Sequence, residues 1–289
     1  MNAKLPIAFF GAALLASASI PAMAADMYEP PVVEAQPPAP ISVYEEPASD
    51  FGGWYIRGDV GYAATDFRGG YYMTPGPGMN SFQSGSLKSS WTGGVGVGYQ
   101  VTRYLRTDLT LDHLGKTDFR GSTRGACGVA LDCISNDVAT FSAWSLLANA
   151  YVDLGTWHGI TPYVGAGIGG TRVKWGDLTN TACDAANPAN CDPSVVHGGM
   201  AKWRFTYALM AGASYCLTDK LKLDAGYRYR RVEGGAMFDL AAGNGPGFDR
   251  GFNIHEGRAG LRYQFGGATE CAPEQVAYQP EPIEPPVYK

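Results

Sequence analysis

Apolar and polar residues alternate along eight segments of the sequence between residues 53 and 265. In the first segment, Trp54, Ile56 and Val60 fall on one side of the alternation, and Arg57 and Asp59 fall on the other. A period of two residues is typical of β-strands that have one apolar and one polar face. The predicted strands cover residues 53–65, 87–100, 104–115, 139–154, 161–173, 203–216, 221–233 and 253–265. The pattern therefore predicts an all-β protein whose eight antiparallel strands close into an up-and-down barrel.

The polar faces of these strands carry full charges of both signs, and this determines which face is expected inside. A water-soluble barrel buries its apolar face, whereas an outer-membrane barrel turns that face toward lipid. Charges of both signs would compensate one another inside a narrow lumen. The expected ion network of the lumen comprises Arg57, Asp59, Arg106, Asp108, Asp224, Arg228, Glu256, Arg258 and Arg262. The sequence therefore predicts a transmembrane barrel surrounded by outer-membrane lipid and lipopolysaccharide.

The connections between the predicted strands alternate in length. Residues 101–103, 155–160 and 217–220 form short connections, and four much longer connections lie between them. Short periplasmic turns and long external loops are typical of outer-membrane barrels, and an even number of strands places both chain ends in the periplasm. Because side chains just fill the interior of an eight-stranded barrel, a closed or very narrow lumen is favoured over a selective pore.

The two ends of the chain differ from the barrel segment, residues 51–265. Residues 1–24 resemble a secretory signal peptide, with Lys4, an apolar stretch and an Ala-x-Ala motif that predicts cleavage between Ala24 and Ala25. The segments 25–50 and 266–289 are rich in Pro and acidic residues, so we predict disordered periplasmic tails. The formal net charge is −5, and we expect no nucleic-acid partner.

Six cysteines in an exported chain favour disulfide bonds, because the compartment is oxidising. Their spacing yields two close local pairs and two more distant residues, both of which we expect on the periplasmic side. The candidate pairs are Cys127 with Cys133, Cys183 with Cys191, and Cys216 with Cys271; for the last pair, two free thiols remain the alternative. Zinc is the competing interpretation of the local pairs, but neither has Cys-x-x-Cys spacing or a clustered His. We therefore expect no metal and no cofactor.

The end of the last predicted strand, Arg258 to Phe265, resembles the terminal signal that the barrel-assembly machinery of the outer membrane reads. The resemblance rests on a polar residue, on Gly260 two residues later, and on the alternating aromatics Tyr263 and Phe265. It implies the assembly machinery as a partner. This sequence departs from the pattern because residues 266–289 follow Phe265, whereas many family members end at this Phe.

Three further stretches, residues 52–62, 94–100 and 149–167, resemble the small outer-membrane barrels and surface antigens of alphaproteobacteria, a porin-like and opacity-related group. The resemblance implies a surface-exposed protein of the Gram-negative outer membrane that supports envelope integrity. Some members of the group contribute to adhesion, host contact or modest pore activity. Some are linked to peptidoglycan through a mature N-terminal Ala followed by an acid, which here corresponds to Ala25 and Asp26.

Catalysis is the remaining possibility, because some outer-membrane barrels are enzymes. The candidate general bases are His113, His158, His197 and His255. His113 and His255 each adjoin an acid in sequence, but adjacent strand residues point to opposite faces. The leading prediction is therefore a structural protein and surface antigen, not an enzyme, with long external loops for surface contacts or adhesion. A small diffusion pore is the alternative, followed by a lipid A-modifying enzyme.

Overall fold

The computed structural model describes residues 52–74, 78–241 and 244–266 together with Cys271. The predicted signal peptide, its cleavage site at Ala24 and Ala25, the proposed linkage at Ala25 and Asp26, and the tail 25–50 lie outside these residues. Of the predicted tail 266–289, Gly266 and Cys271 are described. Within the described residues, no helix is long and apolar enough to cross a membrane.

The described part of the chain contains sixteen strands. They are β1 (Gly53–Phe67), β2 (Gly70–Thr74), β3 (Gly78–Ser81), β4 (Ser84–Leu87), β5 (Ser90–Gln100), β6 (Leu105–Ser122), β7 (Arg124–Gly125), β8 (Cys133–Asp153), β9 (Ile160–Trp175), β10 (Leu178–Asp184), β11 (Val195–His197), β12 (Ala201–Cys216), β13 (Leu221–Val232), β14 (Gly235–Phe238), β15 (Gly247–Asp249) and β16 (Phe252–Phe265).

Eight of these strands form a closed antiparallel barrel in the order β1-β5-β6-β8-β9-β12-β13-β16. The last strand returns to the first along its full length, with Trp54 opposite Phe265 and Phe67 opposite Phe252. Closure leaves the wall without a free edge, as lipid requires, because unpaired backbone groups are costly there. The predicted eight-stranded antiparallel barrel is therefore confirmed; the other eight strands lie in its longer connections.

In the part of the barrel toward the short turns, the apolar faces of the strands point outward. Along β1, Tyr55, Arg57 and Asp59 are buried, whereas Ile56 and Val60 between them are exposed. Exposed aromatic side chains form two rings: Trp54, Tyr99, Tyr104, Tyr215, Tyr263 and Phe265 at the end with the short turns, and Tyr62, Trp91, Trp144 and Trp203 at the other. Aromatic girdles of this kind mark the two membrane interfaces. We call the barrel between the rings the membrane section.

Beyond the outer ring the strands continue, and their two faces exchange character. On β6, Lys116, Asp118 and Arg120 are exposed, whereas Leu114 and Phe119 are buried. A register shift between Leu114 and Thr117 separates the two parts of the strand. We call this external part the crown; it comprises the described residues of 63–90, 114–143, 173–202 and 231–254. Here the apolar side chains point inward, as in a water-soluble barrel.

Short strands complete the crown. Strands β4, β7, β10 and β11 extend the barrel wall, and β14, β15, β2 and β3 form a separate four-stranded sheet. Disulfides Cys127–Cys133 and Cys183–Cys191 link chain segments of the crown, and Cys216–Cys271 lies at the opposite end of the barrel. The first two are the local pairs that the cysteine spacing favoured; for Cys216 and Cys271, the sequence had left two free thiols as the alternative. The predicted long external loops are thus largely β-structure, and Cys133, expected in a loop, begins β8.

Candidate functional site

The charged residues predicted for the lumen are all buried inside the membrane section and form ion pairs. At its centre, the Arg57 guanidinium lies 2.8 Å from the Asp59 carboxylate and 3.1 Å from the Asp108 carboxylate. Arg258 approaches the same Asp59 at 2.7 Å. Buried charges need such pairing, because desolvation of an isolated ion is very unfavourable. The centre of the lumen is therefore occupied by a compensated cluster.

A second cluster lies on the periplasmic side of the first. Arg106 contacts Asp153 at 3.0 Å, and its guanidinium stacks between the rings of Tyr151 and Tyr163 at 4.2 and 4.6 Å. Arg262 pairs with Asp224 at 3.2 Å. The sequence identified Arg106, Arg262 and Asp224 but not their partner Asp153 or the two tyrosines. Asp153 and the two tyrosines could have been identified from their positions on the inward faces of β8 and β9.

A third cluster lies just below the outer aromatic ring. The Arg228 guanidinium contacts Asp112 and Glu256 at 2.8 Å each, and Arg230 contacts Glu256 at 3.0 Å. Glycines give these large side chains room. A Cβ atom added at Gly94 would collide with Asp112, and one added at Gly98 with Tyr55. The glycine-rich strand β5 thus allows the lumen to be filled from the facing strands.

An apolar cluster lies across the lumen at its external end. Phe119, Phe141 and Phe252 surround Trp175, with ring centroids 5.2, 5.0 and 5.9 Å from the centroid of the Trp175 ring. Each of these four side chains is at most 2% exposed. Arg204 of β12 reaches above them to Asp249 of β15 at 2.6 Å, which joins the four-stranded sheet to the barrel. Within the described residues, an apolar layer thus lies above the ionic clusters of the lumen.

Above this layer the crown encloses a cavity of about 280 Å³. All four external connections contribute to it. The lining residues are Tyr72, Thr74, Asn80, Phe82, Thr123, Gly125, Ala126, Cys127, Gly128, Cys133, Ser135, Asp137, Leu178, Asn180, Ala182, Asp192, Pro193, Val195, His197, Phe238 and Asn244. Because the cavity lies outside the membrane section, it is placed to receive a ligand from the cell exterior.

The most buried charged group of this cavity is Asp137, which is 1% exposed. Its carboxylate accepts a hydrogen bond of 2.8 Å from the Ser135 hydroxyl and another from the Asn180 amide. Burial raises the pKa of Asp137 above its ordinary value, although both hydrogen bonds and nearby His197 act in the opposite direction. Sequence reasoning did not single out Asp137, because it lies two residues before the predicted start of its strand.

The four histidines lie apart from one another. His113 stacks on Trp144, His158 occupies a turn at the periplasmic end, and His255 contacts Tyr227 and Asp66. His197, expected in a loop, lies on β11, is 5% exposed and lines the crown cavity. Within the described residues, no three His, Cys, Asp or Glu side chains form a group suited to a metal ion.

The residues of the predicted assembly signal lie on β16. The side chains of Tyr263 and Phe265 are exposed on the outer face in the periplasmic ring. A Cβ atom added at Gly260 would collide with the Asp59 carboxylate inside the barrel. Gly260 therefore has a packing role in the lumen, whatever else reads this strand.

The crown also exposes several apolar side chains, three of them at its tips. Leu131 is 92% exposed, Met79 69% and Leu240 60%. On the outer wall, Val138 of β8 and Val196 of β11 both flank Thr179 of β10 in register. These side chains cannot contact lipid from above the outer ring, so they are available to another molecule.

Comparison with known proteins agrees with this architecture. A family model described as outer membrane protein beta-barrel domain matches residues 10–265. An uncharacterized protein of Brucella abortus is 40% identical over 252 residues, which cover 76% of this chain and 87% of the relative. A candidate adhesin of Rickettsia bellii is 27% identical over 218 residues, which cover 73% and 87%. The crystal structure of OprG from Pseudomonas aeruginosa aligns with a TM-score of 0.45 at 13% identity, covering 75% of this chain and 98% of that one.

Proposed function

The chain belongs to the outer membrane protein beta-barrel domain family, and from this premise we propose that it is a non-conducting surface protein whose crown makes adhesive contacts. Its place in the Gram-negative outer membrane follows from the family and the fold. The adhesive role, the closed lumen and the support of envelope integrity are proposals. We also propose that the protein is not an enzyme.

The observation that carries the proposal is the combination of a filled lumen with a built external surface. Three ionic clusters occupy the membrane section, and the layer around Trp175 lies across its external end. The external part of the protein, by contrast, has ordered β-structure, two disulfides and exposed apolar side chains. An ordered surface loses less conformational entropy on binding than a flexible loop does. The relatives described as candidate adhesins add support in the same direction.

Adhesion can be tested with the full chain displayed on bacteria. Substitutions Leu131→Ser and Met79→Ser remove the two most exposed apolar tips of the crown. We expect binding of the bacteria to a host-cell layer to fall several-fold, with surface amount checked by antibody. Val95→Ser, on the lipid-facing wall and 62% exposed, is the matched control. Equal adhesion by the tip variant and the wild type would contradict the proposal.

Conductance separates this proposal from the diffusion pore. The folded barrel, verified by its heat-modifiable mobility on a gel, is inserted into a planar lipid bilayer. We expect no reproducible conductance steps. Defined steps that change when Arg57, Asp108 or Arg228 is neutralised would instead make the small pore the better assignment. Altered lipid A after expression in a host strain would identify the third candidate, a lipid-modifying enzyme.

Two partners inferred from the sequence remain proposals. The assembly machinery would read Gly260, Tyr263 and Phe265 on β16, and Tyr263→Ser with Phe265→Ser, which keeps the strand at full length, would then reduce insertion. Peptidoglycan would be joined through Ala25. Peptidoglycan digests that contain no fragment carrying Ala25 would remove the second proposal while leaving the adhesive role intact.

A further inference from the structure

We propose that the crown cavity binds a small organic ammonium ion, with the Asp137 carboxylate as its counter-ion. The proposal goes beyond the adhesive function and does not depend on it, because the cavity lies inside the crown and the adhesive tips lie outside. A diamine of about four carbons has the size and charge that the cavity fits.

The first argument is charge. The lining contains two carboxylates, Asp137 and Asp192, and none of the described lining side chains is Lys or Arg. The Asp192 carboxylate accepts a hydrogen bond of 2.7 Å from the Gly128 amide. The cavity therefore repels anions and favours a cation.

The second argument is the state of Asp137. Among the described residues, each of the other buried carboxylates has an Arg partner, such as Asp112 with Arg228 or Asp249 with Arg204. Asp137 accepts hydrogen bonds from the neutral donors Ser135 and Asn180, and no Lys or Arg of the described residues forms an ion pair with it. A buried charge without a counter-ion is unfavourable, and a ligand that supplies the cation relieves that cost. The site thus lacks a counter-ion for Asp137, and an ammonium group would supply it.

The third argument is the apolar part of the lining. Tyr72, Phe82 and Phe238 form one side of the cavity, and Leu178 connects it to the apolar layer below. Aromatic faces attract cations and accommodate methylene groups. A volume of about 280 Å³ is at the small end of ligand pockets. An alkylamine matches both the aromatic wall and the carboxylate, whereas a fully polar ligand would leave the apolar side unused.

The binding should depend on pH through Asp137, which shares the lining of the cavity with Asp192, His197 and Tyr72. On acidification Asp137 takes up a proton and loses its charge. This change weakens ammonium binding, so affinity should fall as the pH is lowered through the raised pKa of Asp137.

The test is calorimetric titration of the folded full chain in detergent, in a buffer free of amines. The probe is 1,4-diaminobutane, and its neutral analogue of the same length is 1,4-butanediol. We expect the diamine to bind and the diol to bind at least about tenfold more weakly, because a charged hydrogen bond in a buried site is lost. Equal binding of diol and diamine, binding of glucose in place of the diamine, or no heat at millimolar diamine would each overturn the proposal.

Two variants locate the site. Asp137→Asn keeps the shape and should weaken diamine binding at least about tenfold. Asp118→Asn removes an exposed carboxylate on the outer wall of the crown and should leave the affinity unchanged. If Asp137→Asn loses its heat-modifiable fold, the diol comparison and the pH series on the wild type decide. Unchanged affinity in a folded Asp137→Asn variant would exclude this site even if diamine binds elsewhere, and adhesion would be unaffected in either case.

Discussion

The membrane section and the crown are built from the same strands but bury opposite kinds of side chain. On β6, Arg106 and Asp108 point inward below the outer ring, and Phe119 points inward above it. The solvent outside the wall decides this difference: lipid selects apolar outer faces, whereas water selects charged ones. The same strand thus has an apolar outer face in one part and an apolar inner face in the other. The position where the apolar face changes side marks the membrane surface.

Removing a lumen arginine should have the largest effect on the membrane section. Arg228→Leu would leave Asp112 and Glu256 buried without their shared cation. We expect a loss of about 3–5 kcal/mol in the free energy of unfolding, measured by urea titration of the barrel in lipid vesicles. Arg124→Met, which breaks the exposed pair with Asp132 in the crown, is the control and should cause no measurable change. Similar losses in both variants would contradict the ionic account of the lumen.

The crown should lose its own stability when its apolar layer is broken. Trp175→Ala leaves a cavity among three phenylalanines and should cost about 3–5 kcal/mol locally. Hydrogen exchange should increase in 114–122 and 173–184, while exchange in the membrane section stays slow. Trp144→Ala, which removes a ring residue exposed to the interface, serves as the comparison and should leave exchange in the crown unchanged. If the crown stayed protected in the Trp175 variant, it would not be held by this layer.

A charge on the outer wall tests where the exchange of faces occurs. Leu111 and Val138 point outward and are 41% and 40% exposed, but the first lies in the membrane section and the second in the crown. Leu111→Arg should destabilise the barrel by about 2–4 kcal/mol, as charges facing lipid do. Val138→Arg should change stability by less than about 0.5 kcal/mol. Folding yield into vesicles measures both, and equal yields would place the membrane boundary elsewhere.

The smallest effect concerns Asp137. Its pKa is raised in the folded state, so the folded protein binds a proton more readily, and stability falls as pH rises through that pKa. Asp137→Asn removes a titrating group that is unfavourable when charged. The variant's crown should therefore be more resistant to protease than the wild type at pH 7.5, and the advantage should vanish below the ordinary pKa of Asp. An advantage independent of pH would show that packing, not charge, is responsible.

The sequence predicted the membrane section closely but not the crown. For the first strand, the predicted span 53–65 falls within Gly53–Phe67. Strand β6 was predicted to end at residue 115, yet it continues to Ser122. Beyond Leu114 a register shift changes the phase of the alternation, and the apolar face becomes the inner one. A pattern that requires apolar residues outside therefore stops at the membrane surface.

The candidate sites divide in the same way. Lumen charges could be recognised because arginines and acids recur at inward positions of regular strands. The cavity could not, because Asp137, Asn180 and His197 come from segments whose pairing depends on long-range contacts. Alternation identifies the face on which a residue lies, but it does not say which distant residues share that space.

The ion pairs of the lumen also constrain how the chain can enter the membrane. Arg228 on β13 meets Asp112 on β6, a strand directly opposite in the eight-stranded order and 116 residues away in sequence. A hairpin or half-barrel inserted alone would carry one partner into lipid without the other. Insertion by successive hairpins is therefore disfavoured for this chain. The charges should instead enter the membrane together, during closure of β16 onto β1. A nearly complete sheet is then the first species able to insert.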